Sequence, residues 1–245
     1  MGALFSICIL TELCYTKLTA IICNKLSKQV RAFKKEKEHQ SLKSLIWYDT
    51  HDTTERVCCM PYFICSQPTT PKLDALPTYK ITDYPLEPRD YKPFAQAKIC
   101  MTPQDLLIQM WAFEMVPRPE SRLRAVVTTK NSEYLLVLTA KPDGSCDCMM
   151  RGPLGDKPLD CVVHPYMGED LQGIYWGVTV TLRRSTVEQY LGPDTTSVGS
   201  VLRCNFYKLS SNAQKPHKGS MYPADFAGKK EYALPSLAEF TVVNY

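Results

Sequence analysis

The chain lacks the concentrated charge of one sign that marks a polymer-binding protein. Its 245 residues carry 29 Lys plus Arg against 25 Asp plus Glu, a formal +4, whereas a dedicated nucleic-acid binder gathers a larger basic excess on one face. The small excess is also local. Residues 1–70 hold nine bases and six acids, and the rest of the chain holds 20 bases and 19 acids. A near-neutral body exerts no long-range pull on phosphate, so nucleic acid is not an expected partner. Glycine is scarce, 11 against 18 Pro and 14 Tyr, a balance that favours a turn-rich, mainly β chain over a helical bundle. Apolar residues still make up 44%, enough to fill a core and to exclude a disordered tail.

Long hydrophobic runs are also missing. Met1 to Cys23 is apolar, but Glu12 and Lys17 interrupt it and leave too short an uncharged stretch to span a bilayer. No basic residue precedes this run and no small-residue cleavage site follows it, so it does not read as a secretory signal. Eleven Cys is an odd number, and six of them fall in the first 66 residues. Without regular spacing or a recurring CxxC pair they suggest neither a disulfide framework nor a zinc site. Cys146 and Cys148 enclose Asp147 and suit a strand end or a turn. The expectation is reduced thiols and a cytoplasmic location. There is no GxSxG elbow, P-loop or HExxH, so the sequence names no catalytic residue.

What is present divides into two segments. Residues 1–71 read as a basic, Cys-rich N-terminal extension, helical or disordered, ending in the Pro/Thr linker Gln67 to Pro71. Met1, Gly2 and Ser6 fit a myristoylation pattern with Cys8 nearby, and residues 24–44 form a basic run. Membrane contact through residues 1–44 is therefore an alternative, with a solvated helix the plainer reading. Residues 72–245 have the texture of a β domain. Tyr79 to Pro93 is extended and punctuated by Pro, and Leu106 to Glu114, Arg122 to Thr129 and Tyr134 to Ala140 are β-rich runs separated by turn signals.

Gly173 to Leu182 alternates cleanly. Ile174, Trp176, Val178, Val180 and Leu182 share one face, which places Trp176 in the core, while Tyr175, Gly177, Thr179 and Thr181 share the wet face. One helix is expected: Ser185 with Glu188 makes a capping box, Val187, Tyr190 and Leu191 form its apolar stripe, and Gly192 before Pro193 stops it. Val201 to Leu209 and Glu239 to Val243 then flank a long polar loop. Short strands with one helix imply an antiparallel β-sandwich, of jelly-roll or immunoglobulin-like type.

The runs Gly168-Glu169-Asp170-Leu171-Gln172-Gly173-Ile174-Tyr175-Trp176-Gly177 and Arg203-Cys204-Asn205-Phe206-Tyr207-Lys208, with His217 and Tyr222-Pro223-Ala224-Asp225-Phe226, resemble the bacterial proteins similar to carbohydrate-binding module family 9. Trp111-Ala112-Phe113-Glu114, followed by Pro117 and Ser121, is similar to their earlier strand. The resemblance covers roughly Tyr79 to Tyr245. It implies a β-sandwich, non-catalytic sugar binding and, in the true modules, a structural calcium and two Trp that clamp the sugar; this sequence has no certain match for both.

The residues can be weighed beside that resemblance. Sugars lay apolar C–H faces on aromatic rings while polar side chains take their hydroxyls. On Val201 to Leu209, Arg203, Asn205 and Tyr207 share a face, and Tyr175 joins them if its strand lies in the same sheet; a solvated outer face is the alternative. Periodicity leaves the side of Trp111 open, as platform or as core. Glu114 is expected either to accept sugar hydroxyls or to pair with Arg203, and His217 to line the rim or to be exposed. Hydrolysis would need two placed acids. Glu169 and Asp170 read as a hydrated loop, and Glu114 with Asp225 is the pair that a glycosidase-like alternative would use. The expected function is carbohydrate binding through Trp111, Glu114, Tyr175, Arg203, Asn205, Tyr207 and His217, with no cofactor beyond a structural calcium.

Overall fold

The inward faces of two arms of sheet meet in one core, and the period-two pattern of the strands decides which side chains enter it. A computed structural model describes residues 61–68, 71–90 and 92–244. The expected membrane-contact segment and most of the extension lie outside the described residues. Pro61–Tyr245 forms one compact unit. In chain order the strands are β1 Tyr62–Ser66, β2 Tyr79–Ile81, β3 Ala95–Met101, β4 Asp105–Phe113, β5 Ser121–Thr128, β6 Leu135–Ala140 and β7 Cys146–Arg151. They continue with β8 Lys157–Pro158, β9 Val162–Asp170, β10 Gly173–Arg183, the helix α1 Arg184–Leu191, β11 Val201–Ser210, β12 His217–Ser220 and β13 Ala238–Asn244.

The expected mainly β fold with one short helix is found, built as one continuous curled sheet. Its order is β8-β7-β6-β5-β11-β13-β1-β3-β4-β10-β9, with β12 on β11 and β2 on β3. The continuity depends on β1, which runs parallel to β13 from Tyr62↔Phe240 to Ser66↔Asn244 and parallel to β3 at Cys65↔Cys100 and Ser66↔Met101. β1 precedes residue 72, where the sequence analysis sets the start of the domain. Gln67, inside the expected linker, is buried, and its backbone N–H donates to Met101 O at 2.8 Å.

Alternation fills the core as predicted for β10: Trp176 is 1% exposed, and Val178, Val180 and Leu182 are fully buried. They join Ile108, Met110 and Ala112 of β4, Leu123, Ala125 and Val127 of β5, and Leu136 and Leu138 of β6 in one cluster. Each fully buried side chain of this size contributes about 1.5–3 kcal/mol relative to exposure. Because both arms supply the cluster, the sheet must curl to close over it.

Two expectations for local structure are corrected. The capping box does not form, because α1 starts at Arg184 with Arg183 as its cap and no side-chain cap bond. Glu188 instead accepts from Arg184 Nε at 2.9 Å and from the Thr196 hydroxyl, and Arg184 N–H donates to Gln104 O at 2.8 Å. Gly192 does stop the helix, at φ 107°, with its N–H on Glu188 O. Glu169 and Asp170 are not in a loop but end β9, opposite Ile174 and Gly173. Cys146 starts β7, and the described cysteines Cys65, Cys100, Cys146, Cys148, Cys161 and Cys204 are all free thiols. Among the described residues no helix is long and apolar enough to cross a membrane.

One ionic contact spans the two arms. Lys208 of β11, with 0% of its side chain exposed, places Nζ 3.0 Å from Glu114 Oε1 just beyond β4. Glu114 Oε2 also accepts from Ser121 Oγ at 2.8 Å and from Trp176 Nε1 at 2.5 Å. Arg203, the partner expected from sequence, pairs with Glu239 instead. Glu114→Gln leaves the buried ammonium without a counter-charge, and chemical denaturation of the full chain is expected to show a loss of about 3–5 kcal/mol. Adding Lys208→Met is expected to restore most of it, since the unpaired charge is then gone. A loss within about 0.5 kcal/mol of zero for Glu114→Gln, the range of an ordinary surface substitution, would show that the pair is not holding the arms together.

Candidate functional site

With Leu106, Ile108, Met110 and Ala112 turned to the core, the odd residues of β4 face outward, which answers the question periodicity left open for Trp111. It stands on the outer face, half-buried. Strand register then assembles its neighbours. Trp111 lies opposite Gln96 of β3 and Gly177 of β10, and Gln109 lies opposite Lys98 and Thr179. Across the next pair, Gly177 faces Tyr166 and Tyr175 faces Gly168.

The two glycines are shaped by these rings. A Cβ on Gly177 would stand 2.5 Å from Met110 O and 2.7 Å from Tyr166 Cζ, and one on Gly168 would stand 2.5 Å from Tyr175 Cζ. Each Tyr ring therefore lies across the glycine of the neighbouring strand, the cross-strand pairing by which an aromatic ring covers a bare strand position. Phe94, Phe113, Tyr175 and Tyr166 continue as a row of rings, with successive centroids 5.3, 5.4 and 6.3 Å apart. Lys98 Nζ lies 5.8 Å from the Trp111 ring centroid and donates to Leu73 O at 2.8 Å. Trp111, Tyr166 and Tyr175, with Asp74, Lys98, Gln109 and Asp170, line an open groove of about 220 Å³. Burial pushes the Tyr166 hydroxyl up from its usual range, so it stays protonated and able to donate.

The other predicted site residues go elsewhere. Arg203, Asn205 and Tyr207 do share the face of β11 that turns from the main core, but that face is covered. Tyr207 is 0% exposed, packs with Phe226 and Leu237, and donates from its hydroxyl to Glu231 O. Asn205 is saturated: Nδ2 donates to Tyr222 O and Ser236 O, each at 2.8 Å, and Oδ1 accepts from the N–H of Phe206 and of Tyr222. Arg203 is half-buried and spends its guanidinium on Glu239 and on Leu237 O. The segment after β12, read from sequence as a polar loop, folds over this face because Phe226, Tyr232 and Leu237 give it an apolar underside. Those three residues were the available signal. Lys98, Gln109 and Tyr166 were missed because only strand register brings them beside Trp111.

Glu114 and His217 line a separate cavity of about 260 Å³. Asp225 does not line this cavity with Glu114; its carboxylate accepts from the Gly228 N–H at 2.6 Å. No three His, Cys, Asp or Glu side chains of the described residues converge as a metal ion requires.

His217 provides a titration that can be read. Burial first, and then the charge of Lys208, lower its pKa to about 4, opposed by Lys215 O and Glu114 and reinforced by Arg89. The unfolded histidine takes its proton near pH 6.5, so between about pH 6.5 and 4 the unfolded state binds more protons. Folding stability is then fully present above this window and is lost as pH falls through it. The expected contribution is up to about 1.4 kcal/mol per pH unit. Denaturant midpoints measured across the window should fall more steeply with acid in the parent than in His217→Gln, which keeps only the shallower slope of carboxylates such as Glu87; equal slopes would remove His217 as a source.

No protein-family model matches the sequence, and no curated protein matches it. Solved structures do resemble it. One is a protein from Bacteroides uniformis whose name carries a proposed carbohydrate-binding role, with TM-score 0.58 and 14% identity, covering 74% of this chain and 98% of that chain. Another is a carbohydrate binding module family 9 from Caldicellulosiruptor kristjanssonii in complex with cellotriose, with TM-score 0.50 and 9% identity, covering 75% of this chain and 94% of that chain. At such identities the likeness is one of fold, and the described domain shares the fold of carbohydrate binding module family 9.

Proposed function

We propose that this protein binds carbohydrate without altering it, on the outward face of β4, β9 and β10. The observation that carries the proposal is the half-buried Trp111 in an open groove, with Tyr166 and Tyr175 beside it and hydrogen-bonding side chains at its edges. A pyranose has apolar C–H faces and a rim of hydroxyls. An aromatic platform takes the faces, and Gln109, Lys98, Asp74 and Asp170 offer donors and acceptors for the rim. The groove is shallow, which suits a chain of sugars laid along it better than a small apolar molecule, whose sites are deeper and more enclosed.

Trp111 and Tyr175 of the sequence-derived set carry this role. Arg203, Asn205 and Tyr207 are occupied by internal partners, and Glu114 and His217 belong to the other cavity. The fold likeness supports the same reading through the names of its members: a carbohydrate-binding role for one, and cellotriose bound by the other.

Calorimetric titration of the full chain with cellotriose, beside a wider glycan array, tests the proposal. Trp111→Ala is expected to weaken binding at least about tenfold, or about 1.4 kcal/mol. Gly177→Ala, whose Cβ would displace Tyr166, is expected to weaken binding and to cost about 1–3 kcal/mol of stability. Unchanged affinity in Trp111→Ala would remove the platform, and a folded chain that retains no glycan on the array would remove the carbohydrate reading. Release of new reducing ends from any bound glycan would replace binding by hydrolysis.

A further inference from the structure

The second cavity differs in chemistry from the Trp111 groove, and no residue lines both. Its wall carries three cations, Arg89, Arg118 and Lys215, and one acid, Glu114. Two of these four charges are already matched. Glu114 faces the Lys208 ammonium at 3.0 Å, and Arg89 grips Glu87 with Nε and Nη2, which holds that carboxyl down at about 2. Arg118 and Lys215 have no ion-pair partner among the described residues. Two uncompensated positive charges at the mouth of a small concave site raise the local concentration of anions.

His217 adds a second requirement. The residue is 9% exposed, and its Nδ1 lies 3.1 Å from Lys215 O. A carbonyl only accepts, so Nδ1 carries the proton, and Nε2 is left as an acceptor. That Nε2 is buried with no partner among the described residues. A buried acceptor without a donor is an unsatisfied demand, and a hydroxyl, arriving directly or through one bridging water, would meet it. The rim adds a third feature: Met115 and Val116 are adjacent in the cavity wall and 82% and 74% exposed. Adjacent, well-exposed apolar side chains at the mouth of a polar cavity mark a surface that a ligand covers.

We infer that this cavity is a second binding site and that it takes a sugar bearing a negative group, with the anion at Arg118 and Lys215, a hydroxyl toward His217 and a C–H face on Met115 and Val116. A neutral sugar leaves the two cations unanswered. An inorganic anion leaves the histidine and the apolar rim unanswered.

The test titrates the full chain at low salt with glucuronate, glucose 6-phosphate, glucose and inorganic phosphate. At least one of the two anionic sugars is expected to bind about tenfold or more tightly than glucose and than inorganic phosphate, and the winner identifies carboxylate or phosphate as the anion. Arg118→Ala with Lys215→Ala is expected to abolish that advantage, with Arg118→Gln and Lys215→Gln as the second variant if the alanine pair unfolds. Removing two other exposed cations, by Lys130→Ala with Lys157→Ala, should leave the advantage intact, which separates a site from general charge. Equal binding of all four ligands, absence of binding by the folded chain, or an advantage that survives the Arg118 and Lys215 substitutions overturns the inference. Cellotriose titrated in parallel reads the Trp111 face alone, so either site can fail without the other.

Discussion

Lys208 carries an ammonium into the interior with none of its side chain exposed, and the surrounding architecture has to answer that charge. Burial pushes its pKa down, and Glu114 opposes the shift. A charge taken out of water is tolerable only where geometry and hydrogen bonds are both good. The geometry requires the end of β4, the start of β5, β10 and β11 to converge, because Glu114, Ser121, Trp176 and Lys208 each contribute one atom or more to the cluster. Hydrophobic burial would accept many relative positions of the arms; this cluster accepts few. It also anchors the C-terminal end of β4, and the same strand carries Trp111.

The second constraint is the alternation of side chains. Even residues of β4 and β10 fill the core and odd residues face outward, so one strand supplies the core and the outer aromatic face without compromise between them. The outer surface is then divided by what lies over it. Above β11 the segment that follows β12 forms a second small core around Tyr207, while above β4, β9 and β10 the groove at Trp111 stays open.

This division explains how far the sequence could be read. Face assignment was legible: Trp176 is in the core, and Arg203, Asn205 and Tyr207 point away from it, because a period of two is a local property. Whether an outward face is wet is not local. Tyr207 and Asn205 look like site residues on the strand and become structural ones once Phe226 and Leu237 pack over them. The same limit hid the groove. Tyr166, Gln109 and Lys98 sit on three different strands, and only the register of β3, β4, β10 and β9 sets them around Trp111. The capping box failed for a related reason: Ser185 and Glu188 have the right spacing, but Arg184 and Thr196 claim the carboxylate first. Continuity of the sheet was unreadable because β1 lies just before a Pro/Thr stretch that reads as a linker and takes its partners from both arms.

The glycines of the groove show how a flexible residue seats aromatic rings on a sheet. Glycine in a strand interior is a cost, of about 0.5–1 kcal/mol relative to alanine, because the unfolded chain has more freedom to lose. At Gly168 and Gly177 that cost is offset by rings that could not otherwise lie flat on the sheet. Tyr175 and Tyr166 are thereby seated in depressions of the sheet, each held by the backbone beneath it and by its neighbour in the row of rings. For the platform proposed at Trp111, rings already held in place leave little side-chain entropy to lose when a ligand arrives. The two glycines therefore give up some fold stability, and what they secure is a set of rings seated against the backbone of the sheet.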